Sequence, residues 1–184
     1  MIAGSRRMRD GIADREVVVR DATAEDALAV ATVHVRAWQA GYRGLLADEY
    51  LDALRPVDRA ARYTFGADQP GHRLTMVATV NATLLGFVTT GASRNPHDVN
   101  AGEVMALHVD PDAWGRGIGK LLLTEGCARL ASLGFATGVL WVLAGNERAQ
   151  HFYRANGWEP DGGELTEEIW GVRLKELRFR RDLP

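Results

Sequence analysis

Gly115, Gly117 and Gly119 stand where an apolar run, Glu103–Val109, gives way to a stretch whose apolar residues recur at helical spacing. Glycine lets the backbone turn tightly and come close to a ligand. The helix start just beyond offers unpaired N–H groups and the positive end of the helix dipole. Together these make an anion site, and phosphate is the anion that suits it best. The spacing argues against two nucleotide readings. A Walker loop needs four residues between its first glycine and Gly-Lys, then Ser or Thr for magnesium. Here three residues separate Gly115 from Gly119, and Leu121 follows Lys120, so an ATPase or kinase is disfavoured. A dinucleotide loop reads G-x-G-x-x-G with an acidic residue about twenty positions on, and this chain has neither feature. A glycine-rich turn without a ligand stays open as the bland alternative.

The elements that must carry this loop can be read along the chain. Residues 1–15 show no apolar periodicity and read as a flexible leader, with a single domain over 16–184. A short strand is expected at Glu16–Arg20. Thr23-Ala24-Glu25-Asp26 resembles a capping box opening a helix, whose face is Leu28, Ala31, Val35, Trp38 and Tyr42. A second helix is predicted over Asp48–Leu54, and Pro56 at a first-turn position predicts a third, to about Phe65. Asp68–Gly71 reads as a turn. Leu74–Val80 and Leu84–Gly91 read as a hairpin turning near Asn81-Ala82. After the strand Glu103–Val109 and the glycines comes a helix with Ile118, Leu122, Gly126, Leu130 and Leu133 on one stripe, ended by Gly134. Val139–Leu143 reads as a strand buried on both faces. A short helix from about Glu147 to Ala155 and a final strand within Gly171–Arg180 complete a mixed α/β fold with a hairpin ahead of a crossover unit. Glu164, Glu167 and Glu168 read as a solvated loop.

The loop Trp114-Gly115-Arg116-Gly117-Ile118-Gly119 resembles the pyrophosphate loop of the GNAT superfamily of N-acetyltransferases, Q/R-x-x-G-x-G/A at a helix start. Trp114 departs from the Gln or Arg of that pattern and cannot make the same side-chain contact. A second block, Asn146 through Ala149, Phe152, Tyr153, Gly157 and Trp158, matches the family's Asn, Ala, aromatic-Tyr and Gly-aromatic series. The two blocks occur in order, separated by a helix and a strand. The resemblance covers roughly residues 16–180, and Trp38–Gly44 looks like the first helix and loop of many bacterial members.

The resemblance implies a twisted, mostly antiparallel sheet with helices on both faces and two central parallel strands, Glu103–Val109 and Val139–Leu143, that splay apart to hold acetyl-CoA. Backbone N–H groups from Gly115 through Lys120, including Arg116 and Ile118, would cradle the pyrophosphate. Leu107, His108 and Val109 would flank the pantetheine arm, by backbone pairing at Leu107 and Val109. The Leu107 N–H would polarise the thioester carbonyl, while Asn146, Ala149 and Phe152 complete the cofactor wall. An alkylamine is mostly protonated at neutral pH, so a base must take its proton. The resemblance implies Glu103, placed at the mouth end of its strand; a solvated strand-start carboxylate is the alternative. It implies Tyr153 as acid or hydrogen-bond donor toward the departing thiolate, the alternative being packing beside Phe152. Trp38 and Tyr42 would line the acceptor site, with core packing as the alternative. His108 reads as a strand histidine or an acceptor-pocket residue. The implied reaction is direct attack by a primary amine, on a small molecule or a peptide, in a ternary complex. A non-catalytic acetyl-CoA sensor on the same fold is the rival reading. Many members pair through edge strands, so the resemblance allows a homodimer.

Composition fits these readings. The 184 residues are 46% hydrophobic and 25% charged, which excludes collagen-like or disordered chains. The one cysteine, Cys127, rules out an intramolecular disulfide and a Cys-rich zinc site, and it reads as a small buried hydrophobe. No metal is implied. The formal net charge of −2 argues against charge-driven nucleic-acid binding. Lys120 and Lys175 are the only lysines among 22 basic Lys and Arg residues, an imbalance that reads as coding bias. No apolar run has membrane-spanning length and no signal peptide opens the chain. The expected location is the cytoplasm.

Overall fold

The computed structural model describes residues 4–6, 16–65, 73–95, 98, 100–169 and 172–184. The expected turn Asp68–Gly71 and most of the leader lie outside these residues. Within the leader, Gly4–Arg6 (β1) pairs antiparallel with Val17–Asp21 (β2). The Asp26 carboxylate accepts the Thr23 N–H at 2.8 Å and closes a single 3₁₀ turn, which leads into Ala27–Gly41 (α1). Two short helices follow, Asp48–Ala53 (α2) and Pro56–Ala60 (α3). The chain then gives Leu74–Val80 (β3), Thr83–Ala92 (β4), Ala101–Val109 (β5), Ile118–Ser132 (α4), Thr137–Leu143 (β6), Glu147–Ala155 (α5), Glu159–Ile169 (β7) and Val172–Asp182 (β8). One sheet holds all eight strands in the order β1-β2-β3-β4-β5-β6-β8-β7. Every neighbouring pair is antiparallel except β5 and β6, which the α4 crossover joins in parallel.

The sheet separates two layers because successive strand residues point to opposite faces. Val88, Val104, Leu107 and Val109 pack with Ile118, Leu122 and Leu130 of α4. Phe87, Val77 and Ala106 pack on the other face with Val30 and Val33 of α1. Gly126 permits a close approach of α4 to the sheet, since a Cβ there would meet Val88 and Thr90 at 3.3 and 3.2 Å. Cys127 is buried in this layer, as its composition context predicts.

Four local expectations are corrected. Glu164–Glu168 is strand, not loop: β7 is the sheet edge, where charged residues remain in water while the backbone pairs with β8, and Glu164 meets Lys175 at 2.7 Å. The third helix stops at Ala60, because Tyr63 and Phe65 turn in to pack against the Phe87 cluster. Leu28, 57% exposed, is outside the α1 core face; the expected Ala31 and Val35 are buried there, joined by Val30 and Val33. Leu133, at the C-cap of α4, is 46% exposed because its stripe has run past the sheet.

Candidate active site

Sheet register builds the site. β5 and β6 share three partnered positions, Ala101 with Thr137 through Glu103 with Val139, and then separate. Each strand keeps its outer neighbour beyond that point. The Asp110 N–H donates to the Leu85 carbonyl at 2.8 Å, which sets the phase of the β4–β5 ladder. In an antiparallel ladder hydrogen-bonded pairs alternate with non-bonded ones. His108 therefore bonds toward β4, while Leu107 and Val109 turn their N–H and C=O groups the other way, toward β6. The Ala144 N–H donates to the Lys175 carbonyl at 2.8 Å and sets the β6–β8 phase likewise. Trp141 and Leu143 thus turn their backbone groups toward β5. Two strand edges face each other across a gap, ready for an extended amide-bearing chain to fill. A bulge leaves Met105 as an extra residue between the Thr89–Ala106 and Thr90–Val104 pairs, just where the strands begin to part.

The gap widens into a cleft of about 710 Å³ between the two strands, the glycine loop and α5. Gly115 and Gly117 take φ of +74° and +77°, which side-chain-bearing residues rarely adopt, and they swing the chain into α4. The first-turn N–H groups of this 15-residue helix have no intrahelical partner, and Gly117, Ile118, Gly119 and Lys120 line the cleft. The indole N–H of Trp114 donates to the Val109 carbonyl at 2.8 Å and fixes the head of the loop to the end of β5. The Arg148 guanidinium, from the first turn of α5, lies 3.3 Å from the centre of the Trp114 ring. This stack joins the two walls of the cleft. Loop N–H groups, Lys120 and Arg148 together fit a phosphate-bearing ligand, and the strand edges fit an amide-bearing arm, so the residues present fit CoA.

Of the residues expected from the sequence, Tyr42, Leu107, His108, Val109, Trp114, Gly115, Gly117, Ile118, Gly119, Lys120, Asn146, Ala149, Phe152 and Tyr153 line the cleft. Trp38, Glu103 and Arg116 do not. Arg116 is exposed on the loop. Trp38 stacks beside Tyr42 with ring centroids 5.0 Å apart and donates its indole N–H to His108 Nε2 at 3.4 Å. Glu103 is not at the mouth end of its strand. It occupies the last paired position at the closed end and is 1% exposed, and its carboxylate accepts the Arg94 backbone N–H at 2.9 Å and Arg94 Nε at 3.0 Å.

Asn146 caps α5, its Oδ1 accepting the Ala149 N–H at 3.0 Å, so only its NH₂ end can address a ligand. Burial pushes the Tyr153 phenol well above its ordinary value and the Tyr42 phenol up to about 12, with the Glu176 charge adding to the latter. Both phenols are protonated hydrogen-bond donors at neutral pH. Burial also pushes His108 down to about 4, leaving a neutral imidazole. The sequence reading missed Arg148, Trp141 and Glu176, all of which line the cleft. The Glu176 charge raises the Tyr42 phenol and the Arg148 charge lowers it, while Tyr42 raises Tyr153; with all four lining the cleft, groups from the end of α1, from α5 and from β8 converge on it. Only Arg148 lay within a recognised block. Glu176 belongs to the final strand, whose edge partner β7 the sequence did not signal. Among the described residues, no three His, Cys, Asp or Glu side chains cluster as a metal ion would need, and no helix is long and apolar enough to cross a membrane.

Comparison with known proteins follows this geometry. A family model described as the acetyltransferase (GNAT) family matches residues 35–158. The uncharacterized N-acetyltransferase YuaI of Bacillus subtilis is 30% identical over 170 residues, covering 88% of this chain and 90% of that protein. A mycothiol acetyltransferase of Rhodococcus jostii is 37% identical over 93 residues, which is 50% of this chain but only 30% of that protein. Among solved structures, an N-acetyltransferase from Staphylococcus aureus Mu50 superposes with a TM-score of 0.71 at 23% identity, covering 91% of this chain and 99% of that one. The PaiA N-acetyltransferase of Thermoplasma acidophilum, solved in complex with coenzyme A, superposes with a TM-score of 0.65 at 21% identity, covering 90% and 98%. These two likenesses establish the fold.

Proposed function

The chain belongs to the acetyltransferase (GNAT) family, and we propose that it moves an acetyl group from acetyl-CoA to a primary amine by direct attack in a ternary complex. The observation that carries this reading is the pair of facing backbone edges, Leu107 and Val109 against Trp141 and Leu143, which open beside the glycine loop. Bound there, acetyl-CoA supplies an activated thioester carbonyl. The loop N–H groups from Gly115 to Lys120 hold the pyrophosphate, and Arg148 lends the cation that Trp114 does not provide. The Leu107 N–H, aimed into the cleft, donates to the thioester oxygen and stabilises the charge that gathers there during attack. The protonated Tyr153 phenol donates a hydrogen bond to the departing sulfur. A thiol with pKa near 8.5 sits below tyrosine near 10, and burial sets Tyr153 higher still, so Tyr153 serves as a hydrogen-bond donor. The amine attacks in its neutral form, its ammonium proton given up to water, and the N–H proton shed as the amide forms balances the departing thiolate, which leaves as the thiol.

Glu103 receives a different role from the one its sequence position implies. Enclosed by Arg94 at the closed end, it positions the point where β5 and β6 part. The acceptor enters from the α1 side, where Tyr42 lines the cleft and Trp38 backs it. We place the reaction in the cytoplasm, in keeping with a site built around a cofactor thiol and with the single cysteine buried.

Thermal denaturation with CoA and acetyl-CoA tests the reading at its base. Millimolar ligand is expected to raise the midpoint, since a ligand that binds only the folded state stabilises it. No shift with either ligand would remove the cofactor and with it the reaction.

A further inference from the structure

His108 lines the cleft from the α1 face of the sheet, one position beyond Leu107 in β5. Its ring lies between two neighbours, with centroids 4.7 Å from His34 and 5.4 Å from Phe87. The Trp38 indole N–H donates to His108 Nε2 at 3.4 Å. An indole nitrogen can only donate, so Nε2 must accept, and the one ring proton of the neutral imidazole sits on Nδ1. Burial pushes the ring down to about 4, so it stays neutral at physiological pH. Among the described residues Nδ1 has no hydrogen-bond partner, which leaves it as the polar atom of this ring free for a ligand. Trp38 thus turns a side chain that can donate or accept into a donor.

The same wall has little to take a proton from an amine. Glu103 is enclosed by Arg94, and Tyr42 and Tyr153 are protonated phenols. Glu176 is engaged within the chain, and His151 is exposed on α5 rather than on this wall. An attacking amine must therefore arrive already neutral in useful amount. A lysine-type amine has a pKa of about 10.4 and an α-amino group one of about 7.8, so at pH 7 the neutral fraction of the α-amine is roughly three hundred times larger.

Resting on the acetyl-transfer reading above, we infer that the Nδ1–H of His108, set by Trp38, selects the acceptor, and that the acceptor is an α-amine with an uncharged carbonyl oxygen beside its amino group, as at the head of a peptide or in an amino-acid amide. The carbonyl oxygen takes the His108 N–H while the Leu107 N–H, one position back, holds the thioester oxygen, so both reactants are oriented by one stretch of β5. The neighbouring carbonyl is also what makes the amine less basic, so a single group answers both features of the wall. A free amino acid fits less well, because its carboxylate pairs best with a cationic donor and a neutral imidazole is not one.

Two measurements test the inference. Nitrogen-15 NMR of histidine-labelled protein reads the tautomer without turnover. The His108 signals, assigned by their loss in H108Q, are expected to show the Nδ1–H form in the wild type and a mixture of both forms in W38F. Acetyl transfer to tyrosinamide, to a tripeptide that begins with tyrosine and to tyramine, which lacks the carbonyl, reads the acceptor. H108L is expected to lower kcat/KM for the better of the two carbonyl-bearing amines about tenfold more than for tyramine, chiefly through KM, with CoA still bound. Comparing amines within each variant cancels their difference in basicity. H108Q, which keeps an N–H donor, is expected to recover part of the loss. Whichever of tyrosinamide and the tripeptide is preferred identifies a free amide or a peptide as the source of the group. An Nε2–H tautomer in the wild type, or equal losses for all three amines in H108L, overturns the inference. A wild type that binds no CoA, or releases no thiol with any amine, overturns instead the reading on which it rests.

Discussion

The Arg148 guanidinium lies face-on to the Trp114 ring, 3.3 Å from its centre, while the Trp114 indole N–H is bonded to Val109. The residue that takes the place of a polar side chain in the loop thus carries a cation contributed from another helix. The Arg148 cation is held slightly easier to deprotonate by burial against the ring, yet it remains charged across the physiological range. Replacing Arg148 with methionine keeps much of the packing and removes the charge. CoA affinity is expected to fall about tenfold, the equivalent of about 1.4 kcal/mol. Dephospho-CoA run in parallel shows whether the lost contact is to the 3′-phosphate or to the pyrophosphate. Equal CoA affinity in R148M would remove Arg148 from the cofactor site.

Tyr153 lines the cleft with a phenol whose pKa burial has raised. A raised value keeps it protonated throughout the neutral and mildly alkaline range. Y153F is expected to lower kcat by about 10²-fold, in the range typical of a positioned proton donor, with CoA affinity nearly intact. No alkaline limb below pH 10 in the kcat profile is expected to trace to this residue.

The Arg94–Glu103 pair predicts a stability effect rather than a kinetic one. Glu103 is almost wholly buried, so R94M leaves a carboxylate without its guanidinium partner. The Arg94 side chain is more than half exposed and its backbone N–H stays on the carboxylate, so losing the guanidinium is expected to cost about 1–3 kcal/mol, whereas replacing both partners by apolar residues costs less. Urea denaturation of R94M, E103L and the double variant measures this. If the double variant is no more stable than R94M, the pair is not what organises the closed end.

His34 and His108 predict the pH dependence of folding. Their ring centroids are 4.7 Å apart, and burial holds them down to about 2 and about 4, against 6.5 for a free imidazole. The unfolded chain therefore binds the extra protons first as pH falls. The stability they contribute is complete above pH 6.5, and it drains away as pH drops toward the folded values. At pH 5.5 each histidine is expected to cost about 1.4 kcal/mol. H34Q keeps a partner for the Tyr63 hydroxyl, which lies 2.9 Å from His34 Nδ1. The drop in stability between pH 7.5 and 5.5 should be about half as steep in H34Q; an equally steep drop would show that His34 does not carry it.

Local backbone chemistry explains which parts of this site can be read without a structure. Gly115 and Gly117 announce themselves because few other residues adopt their φ, and Asn146 because it caps the helix that follows it. Both signals are short-range. The Arg148–Trp114 stack spans 34 positions along the chain and the Arg94 clamp on Glu103 spans nine, and neither leaves a periodic trace. Strand β7 escapes notice because Pro160, Gly162 and Gly163 interrupt it and its charged residues suit an exposed edge. With β7 unseen, the β7–β8 hairpin could not be inferred, and the β6–β8 register that sets Glu176 opposite Leu143 joins segments more than thirty positions apart with no local signal. Glu103 stands out only through the family resemblance, and its burial depends on Arg94, which arrives from the preceding connection.

The central claim is amine-dependent acetyl transfer. It is tested most directly by incubating the protein with acetyl-CoA and a panel of primary amines that includes tyramine, following free-thiol release and the mass of the amine product together. The account predicts thiol release that rises with amine concentration, one thiol per amine gaining an acetyl group, and near-complete loss of both in Y153F. Binding of acetyl-CoA with no thiol release beyond the amine-free rate for any amine would contradict it, and would leave a protein that senses acetyl-CoA without using it.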